Sequence, residues 1–249
     1  MDYIIFIYII FGILPSLTWL SYYLRKDVHP EPKKTILRIF LWGALITLPV
    51  FFVQLGLASL LSKINASDLV ISLLYWFVVI SFSEEIFKYL VIKIKIMNCP
   101  DLDEPVDVMI YMVIAALGFA ALENILYLFS PVGDMSFNQL MDRTLIITFI
   151  RFIGATFLHT LCSAVVGYSL AISFCKIKTR YASIASGLFM AVLLHGLYDF
   201  SIMKLDGYLK LAVPVLIIVT LAFLVFSGFE KLKKMKSVCE ANRAQVTKA

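Results

Sequence analysis

The sequence contains few charged residues: only 16% of its 249 residues are Asp, Glu, Lys or Arg, whereas 61% are apolar. A water-soluble domain usually has about a quarter charged residues and under half apolar ones. The scarcity of charge therefore excludes a soluble globular protein and a disordered one. Because a membrane-spanning helix needs about 20 consecutive apolar residues, the chain has room for about seven or eight such helices and for no large soluble domain.

Several protease motifs are also missing. There is no HExxH, which excludes the zinc site that places two histidines on one helix. Tyr198-Asp199 is typical of aspartyl intramembrane proteases, but no GxGD supplies the partner aspartate. Ser186 lacks the glycine two positions earlier that a rhomboid-type serine would have, since Ile184 stands there.

The four cysteines contain no CxxC pair and lie in spans or on the inferred cytoplasmic side, where disulfides are rare. They are Cys99, Cys162, Cys175 and Cys239.

Seven long apolar segments indicate an all-α fold, a polytopic integral membrane bundle of about seven, or eight, transmembrane helices. The predicted segments are residues 3–24, 36–61, 69–96, 106–130, 144–175, 181–203 and 208–229. We expect residues 1–249 to form a single membrane-embedded domain, ending in a basic cytoplasmic tail at residues 230–249.

The basic residues predict the orientation of this bundle. With the N-terminus outside, fifteen of the 22 Lys and Arg residues fall on the cytoplasmic side and only four on the opposite side. Positive charge is enriched in cytoplasmic connections, so we expect the N-terminus outside and the C-terminus in the cytoplasm. The net charge of +5 then reflects topology and contact with lipid headgroups, and no nucleic-acid partner is expected.

Four acidic residues and two histidines lie well inside the apolar segments. A central acidic residue costs roughly 2.5 to 3.5 kcal/mol on insertion scales, so intramembrane ionisable residues usually mark functional sites. Counted along their helices, they fall at similar depths, tilted toward the external half, and we expect them to converge. They are Glu84, Glu85, Glu123, His159, His195 and Asp199.

Local spacing adds supporting residues. Glu84 and Lys88 are i,i+4 and share a helix face, so the lysine can neutralise one carboxylate. His195 and Asp199 have the same spacing, which lets a carboxylate orient an imidazole. Phe119 shares a face with Glu123, and Asn124 beside it offers a hydrogen-bond donor and an acceptor.

This set of residues is compatible with peptide hydrolysis in two ways. A glutamate beside a histidine can deprotonate water while a second histidine stabilises the oxyanion. Alternatively, two histidines and a glutamate can hold a zinc ion, with another glutamate as base. Two other classes use the same residues: a proton-coupled transporter or channel, and a non-catalytic membrane scaffold with a polar core.

Four stretches in order resemble the PrsW family of intramembrane proteases, which is related to the CAAX-processing and bacteriocin-processing (CPBP) membrane proteases. The resemblance covers roughly residues 25–225. The stretches are Glu84-Glu85-Ile86-Phe87-Lys88, residues 117–127 with Glu123-Asn124, His159 in mid-span, and His195-Gly196-Leu197-Tyr198-Asp199-Phe200.

The resemblance implies roles for these residues. Glu84 would activate water as the general base with Glu85 beside it, and His159 and His195 would bind the water, the oxyanion or a metal. Glu123 and Asp199 would complete the site, and a zinc ion, if used, would be held by His159, His195 and Glu123. A metal-free glutamate mechanism is the alternative.

The resemblance also implies a location and a substrate. The enzyme would lie in the plasma membrane of a bacterium and cut a single-span membrane protein, such as an anti-sigma factor. This would be the first, extracytoplasmic-side cut in a stress response that regulates a sigma factor.

Overall fold

A computed structural model describes residues 2–25, 30–96, 102, 104–131, 133, 135–175 and 179–234. Within these residues the chain folds entirely into helices and turns, and no strand is present. The helices are α1 (Asp2–Leu24), α2 (Lys33–Leu61), α3 (Asp68–Leu74), α4 (Ser83–Lys95), α5 (Pro105–Leu128), α6 (Phe137–Ile153), α7 (Ala155–Cys175), α8 (Arg180–Lys204) and α9 (Leu209–Lys233). A π-helical segment, Tyr75–Phe82, joins α3 directly to α4.

Seven helical stretches of the described chain are long and apolar enough to cross a membrane, which confirms the predicted all-α bundle. The fifth stretch, Phe137–Phe174, contains 38 residues. A continuous helix of that length would extend about 57 Å, well beyond the roughly 30 Å of a bilayer's hydrocarbon core. A break at Gly154 divides it into α6 and α7, and α7 alone, with 21 residues, has the length of one span.

The predicted start of this fifth segment, at residue 144, was wrong. The helix begins at Phe137, because Ser136 and Gln139 form a reciprocal capping box. The side-chain oxygen Oε1 of Gln139 accepts from the Ser136 backbone N–H at 2.9 Å. Capping of this kind satisfies backbone groups that the first helical turn leaves without partners, so a helix can start in a stretch too polar to be recognised by hydropathy.

Helix α5 is the centre of the bundle. In its most apolar stretch 94% of residues are buried, whereas the corresponding stretches of the other six spans are 22–39% buried. It packs against α1, α2 and α7. The contact with α2 is made through two glycines: a Cβ on Gly43 would collide with the Ala115 carbonyl oxygen, and one on Gly118 with that of Phe40. Small residues that allow helix backbones to approach closely are typical of packing in membranes.

The outer helices expose large apolar side chains, among them Phe52, Leu211 and Phe223. Such a surface is suited to lipid. The orientation of the termini stays a prediction. Helix α9 continues to Lys233, so the proposed tail overlaps its last turn, and residues 235–249 lie outside the described part of the chain.

The structure describes the side chain of one of the four cysteines. Cys162 is free and buried in α7. The side chains of the other three cysteines lie outside the described residues.

Candidate active site

The candidate site lies where α4, α5, α7 and α8 meet. Helix α4 supplies Glu84, Glu85 and Lys88 and follows the π-helical segment without a break. In that segment the hydroxyl of Ser81 donates to the backbone oxygen of Val192 in α8, at 3.0 Å. This bond ties the start of α4 to α8. Segments of π-helix are rare and often occur at functional sites.

The central residues are almost inaccessible. Glu85 and Lys88 are 0% exposed, Glu84 is 4% exposed, and His159 and His195 are each 2% exposed. Removing an ion from water costs several kcal/mol unless partners compensate for the loss of hydration. The contacts among these groups therefore determine how the site is held together.

Lys88 contacts three acceptors. Its Nζ donates to Glu85 Oε1 at 2.9 Å and to His159 Nδ1 at 2.8 Å, and lies 3.4 Å from Glu84 Oε2. The same ammonium lies 4.5 Å from the centre of the Phe119 ring. The expected i,i+4 pair of Glu84 and Lys88 is confirmed, although the i,i+3 contact with Glu85 is shorter.

His159 has a different partner at each ring nitrogen. Its Nε2 lies 2.8 Å from Glu123 Oε2, and its Nδ1 faces Lys88 and lies 3.8 Å from Glu84 Oε2. An ammonium can only donate and a carboxylate can only accept. Nδ1 is therefore the accepting nitrogen, and Nε2 donates to Glu123.

His195 is arranged in a similar way. Its Nδ1 lies 2.9 Å from Glu85 Oε1, while its Nε2 lies 3.3 Å from Asp199 Oδ2 and 3.9 Å from Glu84 Oε2. The i,i+4 pairing of His195 with Asp199 is confirmed. The rings of His159 and His195 lie edge to face, with their centres 5.1 Å apart, so the two imidazoles flank the Glu84 carboxylate.

One group of described residues has separations suited to a metal ion. Single ligand atoms of Glu84, His159 and His195 all lie within 4.8 Å of one another. Two imidazoles and one carboxylate are the donor set of several catalytic zinc sites, in which tetrahedral ligands about 2.1 Å from the ion lie about 3.4 Å apart. The 3.8 and 3.9 Å distances from Glu84 to the two histidines are slightly longer. The donor types and separations thus fit a zinc ion, while Lys88 Nζ lies 2.8 Å from His159 Nδ1, the nitrogen that would bind it.

Glu123, named from the sequence as a metal ligand, has other contacts. Its Oε2 accepts from His159 Nε2 at 2.8 Å and from Arg151 Nη2 at 2.6 Å. It therefore resembles the carboxylates that commonly orient a metal-binding histidine through its second ring nitrogen. Glu85 has the same relation to His195. The geometry favours Glu84 as the third ligand and leaves the assignment of Glu123 as a ligand a prediction.

Other contacts could not be found from sequence. Gln54 in α2 donates to Glu84 Oε1 at 3.2 Å, and Ser163 in α7 donates to Glu85 Oε2 at 3.4 Å. Neither position stands out, because single polar residues in apolar helices are common in helix packing. Arg151 did carry a signal as an intramembrane cation, and the acid it pairs with is Glu123.

The carboxylates of the cluster differ in accessibility. The side chains of Glu123 and Asp199 are 20% and 23% exposed, whereas those of Glu84 and Glu85 are 5% and 0% exposed. Glu123 and Asp199 are therefore the accessible carboxylates of the cluster, and Glu84 and Glu85 are its buried ones.

The comparisons with known proteins agree with this chemistry. A family described as "PrsW family intramembrane metalloprotease" matches residues 31–227. The chain is 29% identical over 229 residues to "Protease PrsW" of Bacillus subtilis (strain 168), covering 91% of this chain and 94% of that protein. It is 30% identical over 198 residues to "Protease PrsW" of Clostridioides difficile (strain 630), covering 77% of each chain.

A third relative, "Protease PrsW" of Oceanobacillus iheyensis, is 28% identical over 207 residues, covering 83% of this chain and 88% of that protein. No solved structure matches the chain. The family match covers α2 to α9 almost entirely and includes every residue of the buried cluster. With this match, its seven apolar helices and its buried glutamates and histidines, the chain belongs to the PrsW family of intramembrane metalloproteases and is a membrane-embedded peptidase.

Proposed function

We propose that this peptidase acts in the plasma membrane of a bacterium and makes the first, extracytoplasmic-side cut in a single-span membrane protein, an anti-sigma factor. The observation that carries the proposal is the buried group of Glu84, His159 and His195, with ligand atoms within 4.8 Å of one another. The family match supports the same chemistry. The transporter and scaffold alternatives have no corresponding support.

The position of the site supports the proposed substrate class. The cluster is enclosed by helices whose outer surfaces are apolar, so a peptide bond must reach it from within or near the bilayer. A single-span protein can present such a bond after leaving its helical conformation locally. The release of a sigma factor after this cut would link the enzyme to a stress response.

We infer that Glu84, rather than Glu85, serves the attacking water, either directly as a base or by helping to hold an ion that binds the water. Glu85 is already bonded to Lys88, His195 and Ser163, so it is suited to orienting His195 rather than to reacting. Glu84 Oε2 faces both imidazoles at 3.8 and 3.9 Å. These distances exceed a direct hydrogen bond and suit three groups that act on one common atom.

Glu84, His159 and His195 would hold the zinc ion in the variant of the mechanism that we favour. When bound, zinc supplies Lewis-acid activation of water and stabilises negative charge on the scissile carbonyl. In this variant Glu85 and Glu123 fix the ring orientations of the two histidines, and Lys88 offsets the excess negative charge of the carboxylates.

The metal-free variant rests on one specific contact, between Lys88 Nζ and His159 Nδ1 at 2.8 Å. Here the lysine rather than a metal occupies that nitrogen. Glu84 then serves as general base, and His195, which faces it through Nε2, donates to the oxyanion.

Zinc content distinguishes the two variants. Wild-type protein and Glu84→Gln are purified in parallel, with Glu230→Gln as control because Glu230 is exposed on α9. The zinc variant predicts about one ion per wild-type molecule and much less in Glu84→Gln. An active wild-type protein without stoichiometric metal would establish the metal-free variant.

The proposed substrate is tested by co-expression with candidate single-span anti-sigma factors, with the cut mapped by mass spectrometry. We expect cleavage on the extracytoplasmic side with wild type and Glu230→Gln, and none with Glu84→Gln or His195→Ala at equal protein levels. Cleavage that persists in both site variants would overturn the assignment of this cluster.

A further inference from the structure

Arg151 stands in the last turn of α6, three residues before the break between α6 and α7 at Gly154. It lies inside a predicted membrane span and is only 9% exposed. An intramembrane arginine that was only a counter-ion would need one acceptor. The guanidinium of Arg151 has several specific contacts.

Two of these contacts are made to neighbouring residues of α5. Nη2 donates to Glu123 Oε2 at 2.6 Å, and Nε donates to Asn124 Oδ1 at 2.5 Å. The guanidinium also lies over the ring of Tyr127, with its carbon 3.9 Å from the ring centre. A planar group held by two hydrogen bonds and a ring has little rotational freedom.

The partners of Arg151 are themselves held in place. Asn124 Nδ2 donates to Gly12 O in α1 at 3.2 Å and to Thr156 Oγ1 in α7 at 3.1 Å. The break that follows Arg151 favours a glycine, because a Cβ on Gly154 would lie 2.5 Å from the Tyr198 hydroxyl and 2.9 Å from the Ile150 backbone oxygen. Three helices therefore fix the position of the guanidinium relative to α5.

The contact with Glu123 continues to His159. The same oxygen, Glu123 Oε2, accepts from Arg151 and from His159 Nε2. With Nε2 donating to this oxygen, Nδ1 is the ring nitrogen that faces Glu84. A carboxylate that is free to rotate would not hold the imidazole in this orientation, whereas one anchored by a guanidinium would.

We propose that Arg151 is a positioning residue, which anchors Glu123 and through it holds His159 with Nδ1 directed at Glu84. This inference rests on the proposed function of the cluster. Arg151 itself does not contact the reacting atoms. Its effect is on the orientation of His159, and it therefore acts on the catalytic rate and on metal affinity more than on substrate binding.

The test compares Arg151→Gln and Arg151→Lys with Arg143→Gln. Arg143 is the matched control because it lies on the same helix and, within the described part of the chain, its guanidinium donates to the backbone oxygens of Leu128 and Tyr127. Each variant is assayed for kcat and KM of cleavage, for zinc affinity by chelator competition, and for thermal stability.

Loss of an outer residue that orients a metal-binding histidine typically costs about 10- to 100-fold in metal affinity or activity. We expect Arg151→Gln to lower kcat and zinc affinity within that range with KM nearly unchanged. Arg151→Lys should recover part of the loss, since it keeps the charge but not the two-point contact. Arg143→Gln should resemble wild type.

If Arg151→Gln does not fold, Glu123→Gln tests the same connection with the arginine in place. Where Arg151→Gln folds, its double variant with Glu123→Gln should lose no more activity than the worse single variant, because both residues act through one path. Losses that multiply, or an Arg151→Gln protein with normal kcat and zinc affinity, would overturn the inference. Cleavage that survives Glu84→Gln would instead overturn the proposed function.

Discussion

Replacing Lys88 by methionine would remove the only positive charge that contacts both Glu84 and Glu85 among the described residues. Lys88 is 0% exposed, and its ion pair with Glu85 measures 2.9 Å. Breaking a buried pair by removing one partner costs about 3–5 kcal/mol, since the remaining charge stays buried. At about 2–4 °C per kcal/mol for a chain of this size, we expect Lys88→Met to lower the melting temperature by roughly 6–20 °C.

The assay is thermal unfolding of the purified protein in one detergent, with Lys233→Met as the matched control. Lys233 forms an i,i+3 pair with Glu230 on the surface, at 3.3 Å. Exposed pairs of this kind contribute about 0–1 kcal/mol, so the control should unfold within a few degrees of wild type.

A double variant separates charge from packing. Because replacing Glu85 as well removes the carboxylate that lies nearest the missing lysine and so leaves one fewer buried charge unpaired, Lys88→Met with Glu85→Gln should be more stable than Lys88→Met alone. Equal melting temperatures for Lys88→Met and Lys233→Met would refute the view that Lys88 neutralises the cluster.

Three further predictions concern other parts of the structure. Gly118→Val should lower the free energy of unfolding by about 1–3 kcal/mol, as overpacking does, because its side chain would collide with the Phe40 backbone. A Cβ on Gly56 meets nothing within 4 Å, so Gly56→Val should unfold like wild type. Gln54→Leu removes a hydrogen bond to Glu84. Because a hydrogen bond to a charged group contributes about 1.5–3 kcal/mol, this variant should lower kcat/KM at least about tenfold. Unchanged kinetics would contradict this prediction. Zinc at 100 times its Kd should raise the unfolding free energy by about 2.7 kcal/mol relative to chelator-treated protein, but not in His195→Ala.

The spans and the convergence of the site residues could be predicted from the sequence. Hydropathy identifies helices that must cross lipid, and depth along each helix places Glu84, Glu123, His159 and His195 in one layer. That prediction is confirmed by the contacts among them. It succeeded because a polar residue in a bilayer must find polar partners at its own depth.

The details of pairing could not be predicted in the same way. Helical spacing indicated Lys88 with Glu84, but the flexible lysine reaches Glu85 and His159 at shorter distances. The contact of Gln54 with Glu84 joins residues 30 positions apart, and no local pattern reports such a contact.

Irregularities of the helix backbone could not be predicted from hydropathy either. The π-helical segment Tyr75–Phe82 is apolar, like a membrane-spanning α-helix. Composition therefore does not distinguish the two kinds of helix. The break at Gly154 lies where the Tyr198 hydroxyl of another helix approaches the chain closely. Both features lie next to site residues and determine where Glu84 and Arg151 are placed.

The most direct test of the central claim is cleavage of a single-span substrate by purified protein in proteoliposomes. Wild type, Glu84→Gln and Glu230→Gln would be compared at equal amounts of folded enzyme in single-turnover reactions. The account predicts that Glu84→Gln is inactive while Glu230→Gln cleaves at the wild-type rate. A Glu84→Gln protein that cleaves as fast as wild type would contradict the claim that the buried cluster of Glu84, His159 and His195 is the active site.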